Sequence, residues 1–271
     1  MLMAKKKSKY KGRKRKKKFQ IKVSVWFVAA VLLTLGAFIS LPYLKDLKSA
    51  EKGERVPEGY HCYGIDISKY QPHIQWDSLK VMTNARGETI RSKTYAKDIK
   101  SVSYVFIKAT EGTTLKDRHF HKHWNDASEA GIRKGAYHFF RTSKDPAQQA
   151  RHFISTVGKI SEEDLPPVLD IETIHQGCSK KELNDKIRIW LETVEKHYGR
   201  KPIIYSSASF LKDNISKDLT DSYPIWVAHY NTTSPRWNDW KFWQFSDKAV
   251  VYGINGYVDL NVCTIKTLKS I

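Results

Sequence analysis

Two acidic residues, separated by one position, end an apolar run in the segment Pro166-Pro167-Val168-Leu169-Asp170-Ile171-Glu172. If this run is a β-strand, Asp170 and Glu172 share a face and lie ~6.5–7 Å apart, so both carboxyl groups can face one cleft. Such a pair can perform general acid–base chemistry, because one carboxyl group can hold a proton while the other stays ionised. A single acid more often caps a loop or pairs with a base, so the interpretation depends on further acids.

Three further acids end or follow apolar runs elsewhere in the chain, namely Asp66, Glu111 and Asp259. In barrel enzymes the chemistry is located at the carboxyl ends of the strands. Acids at several strand ends would therefore converge on one cleft, where burial and mutual repulsion raise some of their pKa values. We predict an acidic cleft built from several strands.

The elements that must position these acids are short apolar runs of strand type, which recur at residues 63–68, 104–110, 135–140, 167–172, 202–207, 225–230, 242–245 and 257–260. Helical patterns lie between several of them, at residues 120–130, after Asp145 and at residues 180–197, where Ser179 and Glu182 fit a capping box. Alternating strands and helices predict parallel pairing through crossover helices. We predict an α/β fold, a TIM-like barrel of eight strands with incomplete helical covering. Residues 83–100 are interpreted as a solvated insertion.

Several short motifs follow one another in a fixed order, and as a set they resemble glycoside hydrolase family 25, the Chalaropsis-type lysozymes. The resemblance spans about residues 63–262. Its motifs are Gly64-Ile65-Asp66-Ile67-Ser68 with Gln71 and Trp76, Ile107-Lys108-Ala109-Thr110-Glu111-Gly112, Gly135-Ala136-Tyr137-His138-Phe139, Asp170-Ile171-Glu172, Phe242-Trp243-Gln244-Phe245 and Val258-Asp259-Leu260-Asn261.

The resemblance implies a peptidoglycan hydrolase that cleaves the β-1,4 bond between N-acetylmuramic acid and N-acetylglucosamine, on a barrel of eight strands and about five helices. It implies that Glu172 is the general acid and that Asp170 orients the substrate's acetamido group or stabilises charge. Asp66 and Asp259 would complete the acidic floor. Whether the acetamido group assists the reaction stays open, and assistance would retain the anomeric configuration.

Aromatic and polar side chains near the strand ends are candidates for sugar binding. Flat rings can stack on sugar faces while their polar tips bind hydroxyl groups, although core packing is the competing interpretation. The candidate substrate-binding residues are Lys108, Glu111, Tyr137, Tyr205, Trp226, Tyr230 and Gln244.

The formal net charge of +19 is concentrated near the N-terminus, where twelve Lys and Arg lie between Lys5 and Lys22 without an acid. Without these twelve the charge falls to +7, so the remainder is only mildly basic and nucleic-acid binding is not expected. The basic segment is interpreted as a topology signal that contacts anionic lipid headgroups.

An uncharged apolar segment follows at residues 25–44. A helix of this length measures about 30 Å and matches the hydrocarbon core of a bilayer. We expect a basic cytoplasmic tail at residues 1–22, a transmembrane signal anchor at residues 23–44, a linker at residues 45–62 and a catalytic domain at residues 63–271. By the positive-inside rule this is a single-pass protein of the cytoplasmic membrane with its catalytic domain outside the cytoplasm. A cleaved signal peptide is the alternative.

The cysteines and histidines do not predict a metal site. Cys62, Cys178 and Cys263 lack zinc-type spacing and allow at most one internal disulfide, for which Cys62 and Cys263, at the two ends of the predicted domain, are the candidate pair. The alternating residues His119, His121 and His123 are interpreted as the start of an exposed helix. We expect no metal, no cofactor and a monomer.

Two alternative functions stay open at this point. One is a catalytically inactive module that binds peptidoglycan, against which the intact Asp170-Ile171-Glu172 motif argues. The other is a hydrolase of another N-acetylated glycan such as chitin, because substrate choice depends on binding subsites that acids alone do not define.

Overall fold

The computed structural model describes residues 52–271, which contain twelve strands. They are β1 (Lys52–Arg55), β2 (Cys62–Ile67), β3 (Lys80–Thr83), β4 (Glu88–Ile90), β5 (Asp98–Glu111), β6 (Leu115–Lys116), β7 (Arg133–Phe139), β8 (Val168–Asp170), β9 (Ile203–Ser207), β10 (Ile225–Ala228), β11 (Trp240–Ala249) and β12 (Val258–Cys263).

Eight of these strands close a barrel in the order β5-β2-β12-β11-β10-β9-β8-β7, and β7 pairs back with β5. Seven of the eight strands run parallel, whereas β12 is antiparallel to both β11 and β2. Each barrel strand coincides with one of the eight apolar runs, so the predicted eight-stranded barrel is confirmed. The strand predicted at 167–172 ends earlier, at Asp170, and Glu172 lies in the following loop.

The alternating faces of β2 explain how the barrel is packed. Tyr63, Ile65 and Ile67 belong to the apolar layer that also contains the helix residues, while Cys62 belongs to the cluster inside the barrel. Gly64 lies on the same face as Cys62, beneath the ring of Tyr104. A Cβ atom at position 64 would come within 2.1 Å of that ring, so only glycine fits.

Six helices are present among the described residues, at α1 (Phe120–Glu129), α2 (Pro146–Val157), α3 (Lys180–Tyr198), α4 (Ala208–Asn214), α5 (Lys217–Ser222) and α6 (Ile265–Ser270). The three helices expected from the sequence are confirmed. Asp145 caps α2 by accepting the backbone N–H of Gln148, and Ser179 caps α3 by accepting the N–H of Glu182. The covering is incomplete, as predicted, because loops connect β10 to β11 and β11 to β12.

His123 corrects the expectation of an exposed helix start. Helix α1 begins after His119, and the side chain of His123 is 1% exposed. Its ring lies 5.8 Å from that of Trp76, centroid to centroid, and burial lowers its pKa. The ring is therefore a neutral part of the core.

The predicted solvated insertion at residues 83–100 is wrong in part, because much of it belongs to a sheet that extends the barrel. Strand β3 pairs antiparallel with the first half of β5 and with β4, and β4 pairs with β1. Val81, Met82 and Ile90 are buried in this extension. The polar composition of residues 83–100 gave no strand signal. Backbone pairing with distant segments, and not local hydrophobicity, stabilises the strands of this extension.

Strand β1 lies inside the segment predicted as a linker, residues 45–62. From residue 52 onward that segment is thus partly ordered by pairing with β4. The predicted cytoplasmic tail, the transmembrane anchor and the first part of the linker lie outside the described residues. Within residues 52–271, no helix combines the length and apolar character needed to cross a membrane.

Candidate active site

Four carboxyl groups line one cavity at the carboxyl end of the parallel barrel strands. Asp66 comes from β2, Asp170 from the last position of β8, Glu172 from the loop after β8, and Asp259 from the antiparallel strand β12. The cavity measures about 210 Å³. The predicted convergence of acids from several strands is thus observed for these four residues.

Asp66 and Asp259 lie directly opposite each other, because barrel closure pairs β2 with β12 in that register. Oδ2 of Asp66 accepts hydrogen bonds from Nδ2 of Asn261 at 2.7 Å and from Nε2 of Gln244 at 2.9 Å. Burial still raises the pKa of Asp66 despite these donors. Burial, followed by the charge of Asp66, raises the pKa of Asp259 to about 9. At neutral pH the Asp66–Asp259 pair therefore holds one shared proton.

Asp170 and Glu172 differ in their exposure. Asp170 is 5% exposed, whereas Glu172 is exposed to solvent at the cleft. Burial, followed by the charge of Glu172, raises the pKa of Asp170 well above its ordinary range. The two acids are thus divided into a buried group that resists ionisation and an accessible group that a ligand can reach.

Gln244 does not line the cleft. It lies buried beneath the cleft surface and forms hydrogen bonds to residues of the cleft walls. The side chain is 1% exposed, and its Oε1 accepts hydrogen bonds from the hydroxyls of Tyr205 at 2.7 Å and Tyr230 at 2.5 Å. Its amide group in turn donates to Asp66. Gln244 was expected to contact substrate, and the structure instead shows a residue that positions two tyrosines and one acid.

Among the aromatic candidates, Tyr137, Tyr205 and Trp226 line the cavity that holds the acids, and Tyr230 lines an adjoining cavity. Trp226 is only 2% exposed, stacks on Phe106 with ring centroids 4.4 Å apart, and donates from Nε1 to Asn261. Its main role is therefore packing and support. Tyr137 keeps more exposed surface and remains the stronger candidate for sugar contact.

Lys108 contributes a positively charged side chain to the wall of the cavity. Its Nζ lies 2.7 Å from Oε2 of Glu111 and 4.7 Å from the centroid of the Phe139 ring. Glu111 also pairs with Arg141 and does not line the cleft, contrary to the expected substrate contact. Burial alone would raise the pKa of Glu111, but the hydrogen bonds from Lys108 and Arg141 outweigh it and lower the pKa. The ionised Glu111 holds Lys108 in place.

The cleft has two parts that share Glu172 and Tyr205. The second part measures about 660 Å³ and is lined by residues that include Ser207, Lys212, Tyr230 and Arg236. Glu172 therefore borders both spaces and is accessible from each of them. A larger surface groove of about 920 Å³ contains none of the four acids, so its size does not make it the reaction site.

Sequence reasoning missed Asn261 as a site residue and also missed Ser68, Tyr70 and Phe139, which line the cavity. Asn261 is fully buried and joins Trp226 to Asp66. Its position two residues after Asp259 on one strand was the available signal, because such residues share a face.

One group of side chains in the described part of the chain could hold a metal ion. His175, Cys178 and Glu182 place potential ligand atoms within 4.8 Å of one another, in the loop before helix α3 and in its first turn. Glu182 is also ion-paired with Lys186 at 2.7 Å. This group lies outside both parts of the cleft, so the cleft chemistry is assigned to the carboxyl groups.

Comparison with known proteins places this geometry in a family. The model of the family described as "Glycosyl hydrolases family 25" matches residues 65–254. The chain is 43% identical over 211 residues to the uncharacterized protein YegX of Escherichia coli strain K12, covering 77% of this chain and 71% of YegX. It is 33% identical over 212 residues to lysozyme M1 of Streptomyces globisporus, covering 73% of this chain and 66% of that protein.

Solved structures agree with the sequence relatives. The bacterial lysozyme from Streptomyces coelicolor matches with a TM-score of 0.66 and 30% identity, over 78% of this chain and 96% of that chain. A family 25 glycosyl hydrolase from Bacillus anthracis matches with a TM-score of 0.63 and 30% identity, over 78% and 92% of the two chains.

Proposed function

Because this chain belongs to glycosyl hydrolase family 25, we infer that it is a muramidase that hydrolyses the β-1,4 bond between N-acetylmuramic acid and N-acetylglucosamine in peptidoglycan. The chain is a glycoside hydrolase of the lysozyme type, like its relatives. The observation that carries this conclusion is the cleft in which Asp66, Asp170, Glu172 and Asp259 converge. No observation favours an inactive module or a chitin hydrolase.

Glu172 is the proposed general acid. It is the accessible member of the Asp170–Glu172 pair and lies between the two parts of the cleft, where a glycan strand would cross it. Its carboxyl proton goes to the glycosidic oxygen while the bond from that oxygen to the anomeric carbon breaks. The resulting carboxylate then accepts a proton from the attacking water, which restores the acid for the next cycle.

Asp170 is the proposed stabiliser of positive charge. In the free enzyme its ionisation is unfavourable, because it is buried beside Glu172. Asp170 and Glu172 are hydrogen-bonded, so the proton that Asp170 holds would pass to Glu172 when substrate binds, and Glu172 then donates it to the glycosidic oxygen. The ionised Asp170 faces the sugar ring as that ring acquires positive charge, so the interaction strengthens as the bond breaks. Asp170 would also orient the acetamido group. If that group assists, its oxygen bonds to the anomeric carbon as the glycosidic bond breaks, and water then displaces it.

Attachment to the membrane is part of the proposal. Twelve basic residues precede an uncharged segment long enough to span a bilayer, which supports a single-pass anchor with a cytoplasmic N-terminus. The catalytic domain would then lie outside the cytoplasm, where peptidoglycan is found. A tethered enzyme reaches only nearby wall, so this arrangement favours local remodelling of the cell's own peptidoglycan.

The decisive experiment is digestion of purified peptidoglycan by the full chain in mild detergent, followed by borohydride reduction and mass spectrometry of the fragments. We expect fragments with muramic acid at the new reducing end. Glu172→Gln removes the transferable proton and should lower the rate by about 10²–10⁴-fold.

The control is Glu162→Gln, which changes an exposed glutamate outside both parts of the cleft and should leave the rate unchanged. Reducing-end glucosamine instead of muramic acid would contradict the bond assignment. A Glu172→Gln variant with the wild-type rate would contradict the assigned general acid.

A further inference from the structure

The barrel interior contains a second pair of facing side chains, at the opposite end of the β2–β12 seam from the acids. The register pairs Asp259 with Asp66, Asn261 with Gly64 and Cys263 with Cys62. These positions alternate along each strand, so all three pairs lie on one face of the sheet. The two cysteines thus continue the row of paired residues that begins with Asp66 and Asp259 at the cleft.

The two thiols are close together and shielded from solvent. Sγ of Cys263 lies 3.1 Å from Sγ of Cys62, and the residues are 1% and 2% exposed. Residues directly opposite in an antiparallel pair have Cα atoms ~4.5–5.5 Å apart, which falls within the range that a disulfide spans. The backbone therefore already has the spacing that a disulfide requires.

Neither the third cysteine nor the candidate metal ligands account for the closeness of these two thiols. Cys178 lies in the loop before α3, so it does not compete for either partner. The group of potential metal ligands in residues 52–271 includes neither Cys62 nor Cys263. The hydrogen bond donated by Cys263 lowers the pKa of the Cys62 thiol, while the same contact and burial raise the pKa of Cys263.

We propose that Cys62 and Cys263 are oxidised to a disulfide that joins the first and last strands of the barrel. This inference rests on the proposed extracytoplasmic location, where oxidising conditions allow such bonds. The oxidant is the disulfide of a thiol–disulfide oxidoreductase. One cysteine thiolate attacks it to form a mixed disulfide, and the second thiolate displaces the oxidoreductase sulfur. The protein loses two protons and two electrons, and the oxidant's disulfide becomes two thiols.

The bond forms during folding, because an oxidoreductase cannot reach the sulfurs once the barrel has closed over them. Its effect is on stability, since the cysteines lie at the far end of the seam from the cleft. The two residues are 201 positions apart, so the bond closes a very long loop in the unfolded chain. Long loops give the largest entropic stabilisation, and we expect reduction to lower the melting temperature by about 10 °C.

Thiol counting tests the pairing. The full chain, recovered from a bacterial envelope in detergent, is unfolded in guanidinium with N-ethylmaleimide and weighed intact, with and without prior reduction. We expect one adduct without reduction, at Cys178, and three after it. The Cys178→Ser variant should show none and two. Cys263→Ser should show two adducts in both conditions, and unfolding makes the count independent of how well a variant folds.

A parallel sample of the full chain, refolded in a glutathione redox buffer, separates the pairing from the location. Three adducts on the unreduced refolded protein would overturn the proposal. One adduct after refolding but three in cells would support the pairing and count against the extracytoplasmic location. Loss of muramidase activity in every sample would contradict the proposed function without changing the thiol count.

Discussion

Asp259 lies in the cleft and also makes the stability of the folded protein depend on pH. Its pKa of about 9 in the folded protein lies far above the ordinary value of 3.8, because of burial and the charge of Asp66. Between those two values the folded protein binds a proton that the unfolded chain releases. Stability therefore falls as the pH rises through this window.

The Asp259→Asn variant has no ionisable group at this position, so the fall in stability with rising pH that Asp259 causes should disappear. At pH 8 we expect the variant to melt a few degrees above the wild type, and the two to converge near pH 4. Its muramidase activity should fall, because the acid pair is lost. Calorimetry from pH 4 to 9 measures the effect, with Asp221→Asn, an exposed acid paired with Lys217, as the control. Equal melting temperatures at pH 8 would contradict the raised pKa.

The proposed role of Asp170 in orienting the acetamido group can be tested by the anomer of the product that forms first. If the acetamido group assists, two inversions at the anomeric carbon leave the configuration unchanged. Proton NMR of the first-formed product from a soluble peptidoglycan fragment should show the β anomer, which then mutarotates. Initial appearance of the α anomer would mean direct attack by water. Asp170→Asn should slow the reaction without changing which anomer forms first.

At the scale of elements, helix α3 is the longest helix in the described chain and follows the loop that carries Glu172. Ser179 ends that loop and accepts the backbone N–H of Glu182 at 3.2 Å. Gly199 ends the helix in the left-handed conformation, with φ of 67°, which glycine adopts without strain. The helix boundaries are therefore set by two residues whose effects can be measured separately.

Ser179→Ala removes the capping acceptor and should cost about 1 kcal/mol of stability, which corresponds to a fall of about 2–4 °C in melting temperature. Ser216→Ala is the matched control, because Ser216 stands at the start of α5 without a capping hydrogen bond from its side chain. Thermal unfolding of both variants tests the difference. An equal effect of the two substitutions would show that the Ser179 hydrogen bond does not stabilise the fold.

At the scale of the whole molecule, the proposed anchor predicts where the protein is found. The full chain should stay with membranes through a high-salt wash and dissolve only in detergent, because a spanning helix does not depend on lipid charge. Protease added outside spheroplasts should digest the catalytic domain. Deletion of residues 23–44 should abolish membrane retention. Release of the full chain by salt alone would show that the basic tail, and not a spanning segment, attaches it.

The sequence was sufficient to predict elements whose signals are local. The eight barrel strands, the three longer helices and the cap at Ser179 follow from apolar period and capping chemistry. The cleft acids were predictable for the same reason, because an acid that ends an apolar strand is recognisable without knowledge of its neighbours. Glu172 shows the limit of that reasoning, since its strand ends two residues earlier than the pattern indicated.

Tertiary structure alone decided which residues face one another. The register that closes the barrel sets Asp66 against Asp259 and Cys62 against Cys263, and no local pattern encodes that register. Gln244 became a buried support and not a substrate contact for the same reason. The polar strands β1 and β4 form only because distant backbone groups pair with them. Local sequence thus determined the elements and their chemistry, whereas long-range pairing determined the partners and therefore their pKa values.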